Sequence, residues 1–363
     1  MELRARNDTS HHAFKPLVRA VDNPAMQIHR GLASLATLAL ARGGTALTIG
    51  NFDGVHRGHQ AMLALRRDEA QHRGVPACVL TFEPHPRDFF ARRAGKPELA
   101  PARIATLRDQ AAELERCGID HVILLRFDEH LASLPPEDFI TQVLVKGLGV
   151  RYVLVGDDFR FGAKRAGDYA MLDEAGSRLG FDVARMLSYE VHGLRVSSSA
   201  VREALALGDM VKAASLLGRP YSVTGRVAHG LKLGRELGAT RSGAGDGFRT
   251  LNLRMPDAQP AAAGIFVSRV LGLAPEPLQA VSSIGVRPTI EHAGRVLLET
   301  HCLQWPAGLD PEAGYGRVIS VELLHWLHPE RKYESLDALR AGIAADVVAA
   351  RDWFARTPGA DAG

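Results

Sequence analysis

The spacing of hydrophobic positions changes near residue 220 and divides the chain into two parts. In the first part, apolar runs at residues 45–49, 77–82, 121–127 and 151–155 alternate with helical patterns at residues 32–41, 60–72, 101–117 and 136–148. Strands and helices that alternate in this way are typical of a doubly wound parallel sheet. The first part is therefore predicted to be an α/β domain.

The second part contains short β-branched runs that are separated by glycine and proline. Strands are predicted at residues 221–227, 264–270, 278–284, 297–303 and 318–327, and an amphipathic helix is predicted at residues 336–354. Several short strands at this spacing indicate a small antiparallel barrel. The predicted boundaries are a tail at 1–25 that is disordered or precedes a start at Met26, domains at 26–215 and 220–356, and a tail at 357–363.

Composition narrows the class of protein. A chain of 363 residues has room for about two domains. Its net charge of +3 is compatible with anionic substrates but gives no sign of a nucleic-acid interface. Cys78, Cys117 and Cys302 are odd in number and widely spaced, which argues against a disulfide framework or a zinc site. No apolar run approaches the ~20 residues of a membrane span, and no signal peptide is apparent, so we expect a cytoplasmic protein.

Candidate chemistry begins directly after the first predicted strand. Glycines there let the backbone approach a ligand, and the amides that open the next helix favour a phosphate. Two histidines three residues apart point the same way on a first helical turn. A glycine-rich turn with two surface histidines is the alternative. The candidates in this turn are Gly50, Asn51, Phe52, Asp53, Gly54, His56, Gly58 and His59.

Two further stretches of the first part have the residue types of an anion site. Residues 156–168 combine glycines, cations and aromatic residues, which fits an anionic, planar ligand or, alternatively, a charged surface loop. Residues 195–202 place serines and arginines at the start of a helix, where serines are also ordinary caps. The candidates are Asp158, Phe159, Arg165, Arg195, Ser198, Ser199 and Arg202.

The three stretches, in this order, resemble the motifs of bacterial FAD synthetases. Residues 50–59 resemble GxFDGxHxGH, a form of the nucleotidylyltransferase HxGH signature; residues 155–168 resemble VGxDFxFGxxRxGD; and residues 197–209 resemble SSTxIRxxLxxGD, with Ser199 in place of threonine. The resemblance implies a nucleotidylyltransferase-like Rossmann domain. In it, ATP would bind to the 50–59 turn, Asp158, Ser198 and Ser199. His56 and His59 would stabilise charge on the α-phosphate. Arg195 and Arg202 would hold pyrophosphate, while Phe159 and Arg165 would lie near flavin or phosphate.

The second part resembles riboflavin kinases at three places. Residues 225–235 resemble the start of GxVxHGxxxGRxLGFPTANL, residues 284–289 resemble IGxRPT, and residues 298–301 resemble LExH. The resemblance implies that Glu299 deprotonates the 5′-hydroxyl of riboflavin and that Thr250 and Asn252 hold Mg²⁺ and phosphate. It assigns further phosphate contacts to Gly230, Lys232, Gly234 and Arg235. The departures are an insertion at 239–247, Arg249 in place of proline, Leu251 in place of alanine, and Ser283 in place of asparagine.

The resemblance implies a bifunctional riboflavin kinase/FMN adenylyltransferase. Riboflavin and MgATP would give FMN in the barrel, and FMN with a second ATP would give FAD and pyrophosphate in the first domain. The expected partners are these small molecules, with no nucleic acid and no membrane. One alternative is an adenylyltransferase with a catalytically silent barrel, and another is a nucleic-acid-binding protein on the same fold. No oligomeric interface can be identified from the sequence.

Overall fold

A computed structural model describes residues 2–3, 25–31, 43–191, 193–228, 250–255, 259–286, 296–306, 309–310, 312 and 314–357. The chain forms two compact units. One contains Met1–Pro101 and Gln110–Ser197, and the other contains Ala102–Asp109 and Ser198–Gly363. Among the described residues, no helix is long and apolar enough to cross a membrane.

The first unit contains a parallel sheet, as the sequence predicted. Its described strands are β1 (Glu2–Leu3), β2 (Gln27–Arg30), β3 (Thr45–Ile49), β4 (Ala77–Glu83), β5 (His121–Arg126), β6 (Val150–Gly156) and β7 (Asp182–Met186). They are arranged in the order β1-β7-β6-β3-β4-β5-β2, and every pairing is parallel. The hydrophobic pattern missed β1, which is two residues long, and it missed β2 and β7, because each contains polar positions in a run of only four or five residues.

Helices lie near the predicted positions 60–72, 101–117 and 136–148, with two differences, whereas the helices Pro86–Arg93, Glu129–Ser133 and Tyr169–Leu179 were not predicted. The predicted helix at 101–117 begins only at Leu107, and the Thr106 hydroxyl accepts a hydrogen bond from the Asp109 amide at 3.1 Å. The predicted helix at 136–148 becomes π-helical over Phe139–Gly147. The predicted helix at 32–41 lies outside the described residues. The described helices are α1 (Arg57–Arg73), α2 (Pro86–Arg93), α3 (Leu107–Arg116), α4 (Glu129–Ser133), α5 (Pro136–Asp138) and α6 (Tyr169–Leu179).

Strand β3 lies at the centre of this sheet, between β6 and β4, and all five of its residues are buried. Leu47 and Ile49 pack into the larger core cluster, and Ala46 packs into a second cluster that includes Leu154. Ligands of open α/β sheets bind at the carboxyl ends of the strands. The turn after β3 is therefore at the middle of the edge where a ligand is expected.

The second unit contains the predicted barrel. Its described strands are β10 (Tyr221–Ala228), β11 (Leu251–Arg254), β12 (Gly264–Leu271), β13 (Leu278–Val286), β14 (Val296–Cys302) and β15 (Val318–His328). They close in the order β10-β11-β14-β13-β12-β15, with antiparallel pairings. Strand β11 was not predicted, because it is four residues long and follows a glycine-rich stretch. Helices α7 (Ser198–Ala206), α8 (Met210–Leu217) and α9 (Leu336–Arg356) belong to this unit.

The two faces of the barrel strands have different partners. The buried hydroxyls of Ser268, Ser282 and Thr300 form a chain with oxygen distances of 2.6 and 2.8 Å. On the other face of the strands, Val267 and Val281 pack against α9. The end of β15 is fixed to α9 by a contact of 2.7 Å between His328 Nε2 and the Asp346 carboxylate.

Gly208 provides a test of the packing in the second unit. It has φ +71° after α7, and a Cβ there would lie 2.7 Å from Cγ of Trp326. Gly316 has φ +75°, but nothing lies within 4 Å of its Cβ position. Both alanine variants carry the left-handed backbone cost of about 1–2 kcal/mol, and G208A adds a clash of about 1–3 kcal/mol. In urea unfolding followed by tryptophan fluorescence, G208A should be the less stable variant, and equal stability would contradict the packing described. All three tryptophans of the chain lie in this unit.

Candidate active sites

The turn after β3 has an uncommon backbone conformation. Phe52, Gly54 and Val55 have φ of +48°, +78° and +40°. Positive φ is costly for a bulky or β-branched residue and persists only where the surroundings enforce it. Phe52 and Val55 are both fully buried in a cluster with Leu63. The hydrophobic core therefore holds the turn in its strained shape.

Hydrogen bonds fix the same turn on several sides. The Gly50 amide donates to Leu80 O at 3.1 Å, which ties the start of the turn to β4. The Asn51 carbonyl accepts from the Gln110 side chain at 2.7 Å. The Gln60 side chain donates to Val55 O at 2.9 Å, which ties the end of the turn to α1. The backbone of the turn is thus held before any ligand binds.

His56 and His59 lie together at the N-terminus of α1. His56 caps the helix, and its Nδ1 accepts a hydrogen bond from the His59 amide at 3.3 Å. The two rings are stacked, with centroids 3.6 Å apart and planes inclined by 14°. A Cβ at position 58 would lie 3.3 Å from the His56 ring, so glycine leaves room for this arrangement.

The electrostatics of the pair favour a neutral His59. Burial, and then the charge of His56, hold the pKa of His59 well below its ordinary value of 6.5. Its Nδ1 and the Asn51 Oδ1 are buried and have no hydrogen-bond partner among the described residues. The first turn of α1 contains no acidic side chain. A helix N-terminus with these groups is suited to bind an anion.

The loop after β6 brings Arg195 close to the stretch at 156–168. Arg195 lies in the short strand β9 (Leu194–Arg195), which pairs with β8 (Glu190–Val191). Its guanidinium is 3.4 Å from the Asp157 carboxylate, which also accepts from the Ser188 hydroxyl at 2.5 Å. Asp158 is exposed at the same turn. Two of the predicted motifs therefore meet at this loop.

Phe159 and Arg165 lie further along this loop. The Phe159 ring stacks on Phe161 at 5.4 Å. Lys164 and Arg165 both have positive φ, at +55° and +57°, and the Arg165 side chain is exposed. The Asp168 carboxylate then caps α6 by accepting from the Met171 amide at 3.1 Å.

An aromatic cluster that was not predicted from the sequence lies at the carboxyl ends of β4 and β5. Its members are Phe82, Phe89, Phe90 and Phe127, with neighbouring rings 5.3–5.8 Å apart. Phe90 is 46% exposed. His85, which is buried and caps α2, lies in the loop between β4 and α2. Phe82 and Phe127 lie far apart in the sequence, and the parallel pairing of β4 with β5 brings them together.

The residues of the third motif that follow Arg195 belong to the second unit. Ser198 is the first residue of α7, and Ser199 is exposed. The Arg202 Nε donates to Ala102 O at 2.7 Å in the same unit.

In the barrel, two of the predicted kinase residues, Asn252 and Glu299, form a row with Ser283 across three neighbouring strands. Asn252 on β11 pairs in register with Glu299 on β14, and Glu299 pairs with Ser283 on β13. Glu299 lies on the opposite face of β14 from buried Leu298 and Thr300. The Asn252 Nδ2 donates to Thr250 O at 3.3 Å, while its buried Oδ1 has no partner among the described residues. Gly230, Lys232, Gly234, Arg235, Arg249 and the 239–247 insertion lie outside the described residues.

Comparisons with known proteins agree with this division of the chain. The FAD synthetase family model matches residues 39–200, and the riboflavin kinase family model matches residues 217–354. The bifunctional riboflavin kinase/FMN adenylyltransferase of Escherichia coli (strain K12) is 42% identical over 333 residues, which cover 92% of this chain and 99% of that protein. This chain belongs to that family.

Other members of the bifunctional riboflavin kinase/FMN adenylyltransferase family are similar over the same extent. The protein of Pseudomonas fluorescens is 43% identical over 90% of this chain and 97% of its own length. A crystal structure described as a macrolide-efflux protein from Streptococcus pneumoniae matches with a TM-score of 0.67 and 25% identity, over 85% of this chain and 95% of that chain.

Within the described residues, no group of three or more His, Cys, Asp and Glu side chains could hold a metal ion. The buried Asn252 Oδ1, which has no partner among the described residues, is an oxygen ligand of the kind that Mg²⁺ takes.

The protonation of His59 can be tested by NMR titration. Because its pKa is held below 6.5, the His59 ring should stay neutral at pH 6.5, where an unperturbed histidine is half protonated. Removing His56 takes away a like charge and exposes the ring, so H56A should move the His59 titration to higher pH. The H59Q variant assigns the signal. A His59 midpoint at or above 6.5 in the unaltered protein would contradict the burial described.

The same shift has a consequence for stability. The pKa of His59 is lower in the folded protein than in the unfolded chain, so the unfolded chain takes up the proton more readily. The contribution of His59 to folding stability is therefore complete above the unfolded pKa and is lost as pH falls from about 6.5 towards the folded pKa. Between pH 7 and pH 5, the free energy of unfolding of the H59Q variant should therefore fall by less than that of the unaltered protein.

Proposed function

We propose that this protein makes FAD from riboflavin in two ATP-dependent steps, with the kinase reaction in the barrel and the adenylyltransferase reaction on the parallel sheet. The observation that carries the proposal is the presence, in one chain, of a stacked histidine pair on a strained βα turn and a row of Asn252 and Glu299 across the barrel. The family's two activities require two such sites.

In the adenylyltransferase reaction, a phosphate oxygen of FMN attacks the α-phosphorus of ATP and the bond to pyrophosphate breaks. Neutral His59 and the neighbouring His56 donate hydrogen bonds to the charge that develops on the α-phosphate. The low pKa of His59 supports this role, because a neutral ring needs no counter-charge in a buried site. The amides of the 50–58 turn and Asp158 bind ATP. Arg195, Ser198, Ser199 and Arg202 hold the departing pyrophosphate.

The flavin ring of FMN is proposed to lie near the aromatic cluster of Phe82, Phe89, Phe90 and Phe127, with Phe159 and Arg165 contributing contacts to flavin or phosphate. Offset or edge-to-face contacts between aromatic rings are favourable. The exposed Phe90 gives the cluster a face that a planar ligand can cover.

In the kinase reaction, Glu299 takes the proton of the riboflavin 5′-hydroxyl, whose oxygen attacks the γ-phosphorus of ATP as ADP leaves. Thr250 and Asn252 would hold Mg²⁺, and the buried Asn252 Oδ1 without a described partner supports this assignment. When bound, Mg²⁺ neutralises charge on the β- and γ-phosphates. Gly230, Lys232, Gly234 and Arg235 are proposed to hold those phosphates.

A reducing compartment suits the cysteines. Cys78, Cys117 and Cys302 are not paired in disulfides, and burial raises the pKa of the Cys78 and Cys302 thiols to about 12. Unpaired thiols are usual in the cytoplasm, which we propose as the site of action.

The function is tested by chromatography of the flavins formed from riboflavin, ATP and Mg²⁺. We expect FMN to appear first and FAD to accumulate at its expense. FAD from added FMN, with nothing from riboflavin, would leave only the adenylyltransferase reaction and a silent barrel. No product from either flavin would contradict both halves of the proposal.

Two variants should separate the reactions. E299Q removes the general base and should lower FMN formation by about 10²–10⁴-fold, while FAD formation from added FMN is unchanged. H59A should lower FAD formation from FMN by about 10²–10³-fold and spare FMN formation. If E299Q leaves FMN formation intact, Glu299 is not the base.

A further inference from the structure

A second carboxylate, that of Glu330, lies beside the kinase row. Glu330 follows β15, and its Oε1 accepts a hydrogen bond from the Ser283 hydroxyl at 3.0 Å. Ser283 is the register partner of Glu299. Side chains paired in register on one face of antiparallel strands lie about 4.5–5.5 Å apart at Cβ. Glu330 is therefore separated from Glu299 by a single serine.

The chain that carries Glu330 is held in place. His328, two residues earlier, contacts the Asp346 carboxylate on α9 through Nε2 at 2.7 Å. The His328 Nδ1 and Pro329 O are also 2.7 Å apart. The segment between β15 and Glu330 is thus attached to α9, which packs along the barrel strands.

Gly285 provides the space that Glu330 occupies. A Cβ at position 285 would overlap the carboxylate of Glu330. Gly285 is not among the residues with positive φ, so its backbone would accept any side chain. Glycine is therefore required at this position for room and not for conformation. The carboxylate of Glu330 lies close to β13 as a result.

Glu330 has hydrogen-bonding capacity that is not used within the described part of the chain. An ionised carboxylate has about four acceptor positions, and in this part of the chain only Ser283 donates to Glu330. The Glu330 side chain is exposed to solvent, but the hydrogen bond from Ser283 and the room left by Gly285 fix its orientation. A carboxylate that is oriented in this way binds hydroxyl donors through short, charge-assisted hydrogen bonds.

We propose that Glu330 and Ser283 recognise the ribityl chain of riboflavin, by hydrogen-bonding the hydroxyls next to the 5′-hydroxyl. This inference rests on the proposed kinase function. The 5′-hydroxyl has to reach Glu299, and the other ribityl hydroxyls continue from it along the same carbon chain. An extended five-carbon chain spans about the inter-strand distance of 4.8 Å, so these hydroxyls reach Ser283 and Glu330. The pair selects a flavin with a polyol over one with a plain alkyl alcohol.

The test compares two substrates, riboflavin and a flavin whose side chain keeps the terminal hydroxyl but lacks the internal ones. The unaltered protein should prefer riboflavin. E330Q should raise the KM for riboflavin about 10- to 100-fold, as expected for a lost hydrogen bond to a charged group. The KM for ATP and the kcat should change little. E330Q should also lose the preference between the two flavins, which a merely structural role of Glu330 would leave intact.

Two variants sharpen this test. G285A keeps the carboxylate but displaces it, so it should reproduce the E330Q effect on riboflavin. E334Q removes an exposed glutamate four residues further along and should behave as the unaltered protein. FAD formation from added FMN, measured on every variant, shows that the rest of the chain is intact.

The outcomes are distinct. If the unaltered protein makes no FMN, the proposed kinase function fails and the role of Glu330 fails with it. If it makes FMN and E330Q keeps both the KM for riboflavin and the preference for the polyol, only the role of Glu330 is overturned. A fall in kcat with unchanged KM would also overturn it, because Glu330 would then act on the chemical step.

Discussion

The burial of β3 is the constraint on which the first site depends. All five residues of β3 are enclosed at the centre of the sheet, so the position where the chain leaves the sheet is fixed. The core then continues into the turn itself, where Phe52 and Val55 are buried with positive φ. A strained turn that is held by a hydrophobic core cannot relax when a charged ligand arrives or leaves. This rigidity is what a site for phosphate transfer needs, because preorganised donors cost no reorganisation during the reaction.

Much of the architecture could be predicted from hydrophobic spacing. β3 has the bounds that its apolar run predicts, and five barrel strands were located to within two residues. β7 and β11 were missed because their runs are short and contain polar positions, and such strands are stabilised by their neighbours more than by their own pattern. The π-helical stretch at Phe139–Gly147 has the same periodic signal as an ordinary helix, so the sequence could not reveal it.

The proximity of candidate site residues could be predicted where they lie close together in sequence. His56 and His59 belong to one motif, and their spacing was enough to suggest a shared direction. The phenylalanine cluster, by contrast, unites Phe82 with Phe127, and only the pairing of β4 with β5 brings them together. The contact between Glu330 and Ser283 was not predicted either, because the motifs marked Ser283 only as a departure from asparagine.

The chain of hydroxyls inside the barrel is linked to the arrangement of residues on the other face of the same strands. Ser282 bonds Ser268 on one side and Thr300 on the other. If β13 slipped by one residue, Ser282 would turn to the other face of the strand and lose both of these hydrogen bonds. The same slip would turn Ser283 inward and remove it from Glu299. The two hydrogen bonds of Ser282 therefore belong to the register in which Asn252, Glu299 and Ser283 lie side by side.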